Sequence, residues 1–196
     1  MLNKWIKFLM VPAVALSLSA CGINSVPTAE ENAKAKWADV ESSYQRRADL
    51  IPNLVETVRG FATQEQDTLT AVVEARAKAT SIQLNADDLG DAAKVQEFAA
   101  AQGALSQGLG RLMATVEAYP DLKSNQNFLA LQSQLEGTEN RINVARRDYN
   151  EAVRQYNTTI RTFPDIIGAK IIHGAEPMTP FQATTEGAEE APEVKF

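Results

Sequence analysis

From residue 128 to residue 163 the chain places a large apolar side chain at every seventh position: Phe128, Leu135, Ile142, Tyr149, Tyr156 and Phe163. Leu131, Thr138, Ala145, Ala152 and Thr159 fill the companion positions three or four residues away. Seven residues are close to two turns of an α-helix, so the spacing draws one stripe along one face and predicts a helix over about 124–162. At about 1.5 Å per residue such a helix is close to 60 Å long, and its stripe needs partners of similar length. Large residues at one position and small ones at the other let neighbouring helices approach closely.

The rest of the chain supplies those partners. A segment over about 91–118 repeats Phe98, Leu105, Leu112 and Tyr119 every seven residues, with Val95, Gln102, Leu109 and Val116 offset by three or four, until Pro120 ends it. Before it, Val55, Val58, Ala62, Leu69 and Val72 line a helix that runs to about Thr80, and a loop follows over 85–90. The first helical segment, about 28–49, carries Trp37, Val40 and Tyr44. Proline costs about 3 kcal/mol inside a helix, so Pro52 favours a turn over 49–53. Asp49, or Asn53 together with Glu56, would then cap the next helix. The rival is one kinked continuous helix, in which Trp37, Tyr44, Ile51 and Val58 keep their sevenfold spacing through the proline. No stretch alternates apolar and polar β-branched residues as a strand does. The expected fold is all-α: an elongated antiparallel four-helix bundle of long, heptad-patterned helices over residues 28–165.

The N-terminus has a different composition. Lys4 and Lys7 precede an uncharged apolar run that reaches Ala20, 13 residues long and short of the roughly 20 that span a bilayer core. This order matches a secretory signal peptide. The run closes on Leu18-Ser19-Ala20-Cys21, which resembles the lipobox of bacterial lipoproteins. Residues 1–20 are therefore expected to be removed, and Cys21, the only cysteine, to be the lipidation site, with residues 21–27 as a tether. Several acyl chains at roughly 0.8 kcal/mol per methylene hold a protein firmly on a membrane. The cleaved chain keeps 17 basic and 25 acidic residues, a formal charge of −8. Such a chain lacks the basic footprint of a nucleic-acid binder.

Three blocks are too long and too specific to come from heptads alone. They are Arg46-Arg47-Ala48-Asp49-Leu50-Ile51-Pro52-Asn53-Leu54-Val55-Glu56-Thr57-Val58, then Glu117-Ala118-Tyr119-Pro120-Asp121-Leu122-Lys123, then Glu139-Asn140-Arg141-Ile142 with Tyr149-Asn150, Tyr156-Asn157 and Phe163-Pro164. On these blocks the chain resembles the LemA family from about residue 28 to 165. The resemblance implies a membrane-attached, extracytoplasmic helical bundle and brings no catalytic motif with it. Many members look as if they keep an uncleaved N-terminal membrane helix, whereas this chain has a lipobox and a long acidic tail.

The side-chain inventory argues against an enzyme. The single histidine, His173, lies beyond the fourth helix and reads as a solvated tail residue. No pair of Glu-x-x-His motifs offers a dimetal site, no nucleophile elbow or Ser-x-x-Lys pair is suitably placed, and no metal or cofactor is expected. Glu56, Glu74 and Glu117 read as solvated helix faces. On the fourth helix Asn143, Asn150 and Asn157 repeat beside the seam, which reads as a register-setting polar ladder. Arg147, Arg154 and Arg161 repeat on the face roughly opposite, as a solvated stripe or as a strip that docks carboxylates of a partner. Tyr149 and Tyr156 read as core residues whose hydroxyls need partners.

Residues 166–196 form a C-terminal extension. Its isoleucines from 166 to 172 are expected to fold back onto the bundle end or touch a membrane, and the chain after about 178 to be largely disordered. The reading that follows is a non-catalytic, lipid-anchored scaffold or adaptor in the bacterial cell envelope. Its expected partners are the membrane, through Cys21, and an unidentified envelope protein, and homo-oligomerisation stays open. In a cell with two membranes, Gly22 rather than aspartate after the cysteine favours the periplasmic face of the outer one. The alternative is an envelope sensor or small-ligand-binding helical module.

Overall fold

The computed structural model describes residues 2–182, with side chains from residue 23 onward. Among these residues the protein is all-helical, with no strand. Helix α1 spans Leu2–Arg59, α2 Gln66–Ser81, α3 Ala92–Val116, α4 Pro120–Lys123, α5 Gln126–Thr159 and α6 Asp165–Gly168. A 3₁₀ turn at Ala86–Asp88 separates α2 from α3, and a π-turn at Ala169–His173 follows α6.

Local chemistry sets the starts of the two most regular helices. The Asp91 carboxylate accepts from the backbone N–H groups of Ala93 and Lys94 at the head of α3, and the Asn125 amide oxygen does the same for Asn127 and Phe128 at the head of α5. These caps satisfy donors that the first helical turn leaves unpaired.

The turn expected over 49–53 is absent, and α1 continues through Pro52 without a break. The rival heptad reading was the right one, since Trp37, Tyr44, Ile51 and Val58 are all buried on one face while the Pro52 ring lies in solvent. Proline cannot donate to the carbonyl four residues earlier, here that of buried Ala48. Arg76 of α2 takes over that role, its Nε donating to Ala48 O at 2.7 Å. Asp49 and Asn53 cap nothing: the Asp49 carboxylate accepts from Gln45, and Asn53 O accepts from Thr57. The break comes instead after Arg59, where Gly60 opens the loop to α2.

The expected tether is helical too. Val26 is fully buried, and the Ser25 hydroxyl donates to Asp165 at 2.5 Å. At the other end α5 stops at Thr159, about three residues short of the expected end and before the expected seam position at Phe163. Phe163 is therefore not a seam residue but 69 % exposed, and Ile160 fills the core in its place.

Cross-helix contacts give the directions. Trp37 meets Tyr149 at a centroid distance of 5.6 Å and Arg47 meets Glu139 at 2.9 Å, so α1 and α5 run antiparallel. Gln102 Nε2 donates to Ala79 O at 3.2 Å and Tyr119 donates to Glu65 at 2.9 Å, so α2 and α3 do too. The interior has two apolar compartments. One gathers Trp37, Tyr44, Phe98, Ile142, Tyr149 and Tyr156; the other gathers Ile51, Val58, Leu69, Leu105, Leu112 and Phe128.

Between them lies a polar layer centred on Arg47, which is 1 % exposed. Its Nη1 donates to Ser106 Oγ at 2.7 Å and Glu139 Oε1 at 2.9 Å; its Nη2 donates to Gln102 Oε1 at 2.6 Å and Gln102 O at 3.2 Å. A buried guanidinium is tolerable only when paired in this way.

After α6 and the π-turn, Gly174 adopts a left-handed conformation, with φ of 56°, and turns the chain back along α5. Residues 175–182 form an extended strap there, with Met178 and Phe181 buried. The disorder expected beyond about 178 does not begin at that point, because the Phe181 ring packs into the aromatic compartment. The remainder of the acidic tail, residues 183–196, lies outside the described residues.

Candidate functional site

The strap is held almost entirely by side chains of α5 that address its main chain. Asn157 donates from Nδ2 to Met178 O at 2.8 Å and accepts from Met178 N at 2.9 Å. Asn150 repeats the pair one heptad earlier, donating to Phe181 O at 2.9 Å and accepting from Phe181 N at 2.8 Å. A side-chain amide carries both a donor and an acceptor, so each asparagine copies the edge of a β-strand. The spacing fits as well. Seven helical residues rise about 10.5 Å, and three extended residues cover about 10 Å.

Two phenols complete the contact. Tyr156 donates to Glu176 O and Tyr149 to Thr179 O, both at 3.0 Å. Burial raises both hydroxyls above the ordinary phenol value, Tyr149 most clearly, which keeps them protonated donors. Arg146 donates to Gln182 O at 3.0 Å, with its guanidinium 5.1 Å from the Phe181 ring centroid. The Thr179 N–H donates to Leu89 O at 2.8 Å.

Specificity sits at two positions. Phe181 enters an aromatic socket of Trp37, Tyr149 and Phe98, at centroid distances of 5.8, 5.6 and 6.4 Å. Trp37 is fixed there by donating to Leu84 O at 3.0 Å. Met178 is the other buried strap side chain, whereas Glu176, Pro177 and Pro180 face solvent.

A second region is the cleft of about 540 Å³ beside the polar layer, lined by Tyr44, Arg47, Gln102, Ser106, Glu139 and Arg146 among others. Buried Arg47 Nε has no hydrogen-bond partner. A third feature is apolar. Ile23, Phe163, Ile167, Ile171 and Ile172 are exposed at the end of the molecule where α6 and the π-turn meet α1, and His173 Nε2 lies 3.1 Å from Ile23 O there.

Of the residues expected to act, Cys21 lies within α1 where no side chain is described. Arg147 and Arg154 are exposed on α5, with Arg154 paired to Glu151. Arg161 is also exposed but falls past the helix end. Among the described residues, no group of three or more His, Cys, Asp or Glu side chains is arranged to hold a metal. No helix among them is long and apolar enough to cross a membrane. Sequence reasoning missed Arg47 and the strap. Arg47 stands at a seam position between Tyr44 and Ile51, and a charge in an apolar stripe was the available signal. The asparagine repeat was the signal for the strap.

The model of the LemA family matches residues 36–196, a span that takes in both the strap and the acidic tail. Magnetosome protein MamQ 2 and magnetosome protein MamQ 1 of Paramagnetospirillum magneticum are each 30 % identical over 157 residues, covering 72 % of this chain and 58 % of theirs. Protein LemA of Metamycoplasma hominis is 23 % identical over 124 residues, covering 63 % of this chain and 52 % of its own. The chain thus spans little more than half the length of the curated relatives it matches.

Proposed function

The chain belongs to the LemA family, and from that premise we propose that it is a non-catalytic scaffold or adaptor of the cell envelope, lipid-anchored through Cys21 and acting by binding other proteins. In this reading the four long helices form one elongated extracytoplasmic bundle. The observation that carries the anchoring is the exposed cluster of Ile23, Phe163, Ile167, Ile171 and Ile172, which surrounds the end where α1 leads to Cys21. Exposed apolar groups beside an acylated cysteine add buried area at a lipid surface, which strengthens anchoring. The LemA family match and the magnetosome relatives suit a membrane-associated helical protein of this kind.

The test is Cys21→Ser in whole cells. The variant should accumulate uncleaved or leave the membrane fraction, and crosslinking of the wild-type chain should capture envelope proteins. A processed variant that still sediments with membranes would refute the lipid anchor. The cleft with the unpartnered Arg47 Nε favours a second reading, a small-ligand module, and predicts that anionic metabolites raise the melting temperature.

A further inference from the structure

We propose that the groove formed by α1, α3 and α5 beneath the strap is a peptide-binding site for an extended segment of another protein, with the strap as its resident competitor. The ligand class is read from the strap: an unbranched or aliphatic apolar residue, two residues facing solvent or backbone only, then an aromatic residue.

The strap is held as a ligand is held. Within residues 175–182 two main-chain N–H groups donate to main-chain carbonyls, Ala175 N to Ala169 O and Thr179 N to Leu89 O. The other bonds come from Asn150, Asn157, Tyr149, Tyr156 and Arg146 of α5. A site that reads amide N–H and C=O groups accepts any backbone in the right extended form, and leaves selection to its side-chain sockets. Two strap side chains, Met178 and Phe181, are buried here, three residues apart.

The tethering geometry permits release. The strap joins the molecule through Gly174, whose left-handed conformation costs glycine nothing, and the helical segments before it pack on α1 by themselves. Detaching residues 175–182 breaks no helix and leaves the Ser25–Asp165 hydrogen bond between α1 and α6 untouched. The ladder also continues past the strap. Asn143 stands one heptad beyond Asn150, is exposed, and borders the cleft next to Arg146. A longer segment from a partner would find a third rung there. The inference rests on the protein-binding reading for its biological use, and its own test needs neither membrane nor lipid.

The experiment is a titration of the purified full chain with a dye-labelled octapeptide of the strap sequence, Ala-Glu-Pro-Met-Thr-Pro-Phe-Gln, read by fluorescence anisotropy. In the wild type the attached strap competes at an effective concentration in the millimolar range, so peptide binds weakly. A Met178→Glu, Phe181→Glu chain, with its own strap disengaged, should bind the peptide at least tenfold more tightly. Methylating the peptide's amide nitrogens at Met and Phe should weaken binding at least tenfold, because it removes the protons given to Asn157 and Asn150. Asn150→Leu with Asn157→Leu in the disengaged chain should do the same.

A disengaged chain that is folded yet binds no peptide would overturn the proposal. So would equal binding of the methylated peptide, or a disengaged chain that fails to fold, since the strap would then be a fixed part of the core. None of these results bears on fractionation of Cys21→Ser, so failure of the peptide site stays separable from failure of the anchored-scaffold reading.

Discussion

Pro52 and Arg76 should be energetically coupled although they lie on different helices. The proline leaves the carbonyl of Ala48 without its helical donor, and Arg76 Nε replaces that donor at 2.7 Å. Ala48 is buried, so removing the guanidinium strands an acceptor at a cost of about 1–3 kcal/mol. Arg76→Met keeps most of the apolar stem and should lose about that much. In a Pro52→Ala chain the restored N–H pairs with Ala48 O, and Arg76→Met should then cost only what the stem and surface charge are worth, roughly 0–1 kcal/mol. The coupling in the double-mutant cycle is therefore expected at about 1–2 kcal/mol. Pro52→Ala alone should be mildly stabilising, by about 1 kcal/mol, because the interior-proline penalty of about 3 kcal/mol is offset in part by Arg76 and by the stiffer unfolded chain. Urea unfolding of the four chains, followed by circular dichroism, measures the cycle. Additive losses to within about 0.5 kcal/mol would refute the idea that Arg76 repairs the proline.

Arg47→Ala should destabilise by about 3–5 kcal/mol, lowering the melting temperature by about 6–20 °C, because it breaks four hydrogen bonds at 1 % exposure. Glu139→Gln should cost about 1 kcal/mol or less, since that carboxylate is 37 % exposed and can turn to water. All four tyrosines have hydroxyls raised above the ordinary value of 10.0: Tyr44, Tyr149 and Tyr156 chiefly by burial, Tyr119 by its hydrogen bond to Glu65. A native-state pKa above the unfolded one contributes stability that is complete below pH 10 and is lost as the pH rises beyond it. Absorbance at alkaline pH should show phenolate from Tyr44, Tyr149 and Tyr156 only together with unfolding, and ordinary titration of these three in the folded chain near pH 10 would contradict their burial. Replacing Arg147, Arg154 and Arg161 with glutamine should leave the melting temperature nearly unchanged, as exposed charges contribute roughly 0–1 kcal/mol each. If crosslinked partners also stay unchanged, the arginine strip docks nothing.

The heptads disclosed the helices because burial on one face is a local, periodic demand. Phe128, Leu135, Ile142, Tyr149 and Tyr156 are all buried as their spacing requires. Pro52 misled for a physical reason: the penalty weighed against it was that of an isolated helix, and the compensating donor lies 28 residues away on α2. Phe163 misled because periodicity does not say where a helix stops. The asparagine ladder was visible as a repeat, but its partner could not be read from it. The strap has too few apolar residues to announce itself, and only the fold brings Met178 and Phe181 to rungs seven residues apart.

The polar layer at Arg47 also governs how the molecule breathes. Among the described residues the buried apolar side chains above it and below it form two separate clusters, so a fluctuation that loosens one compartment need not expose the other. Native-state hydrogen exchange should therefore resolve two opening free energies along the single helix α1, one for the turns around Trp37 and another for those around Leu54, with the change falling at Arg47. A helix with no break in its backbone would belong to two cooperative units, and the strap end could open and close while the opposite end stays shut.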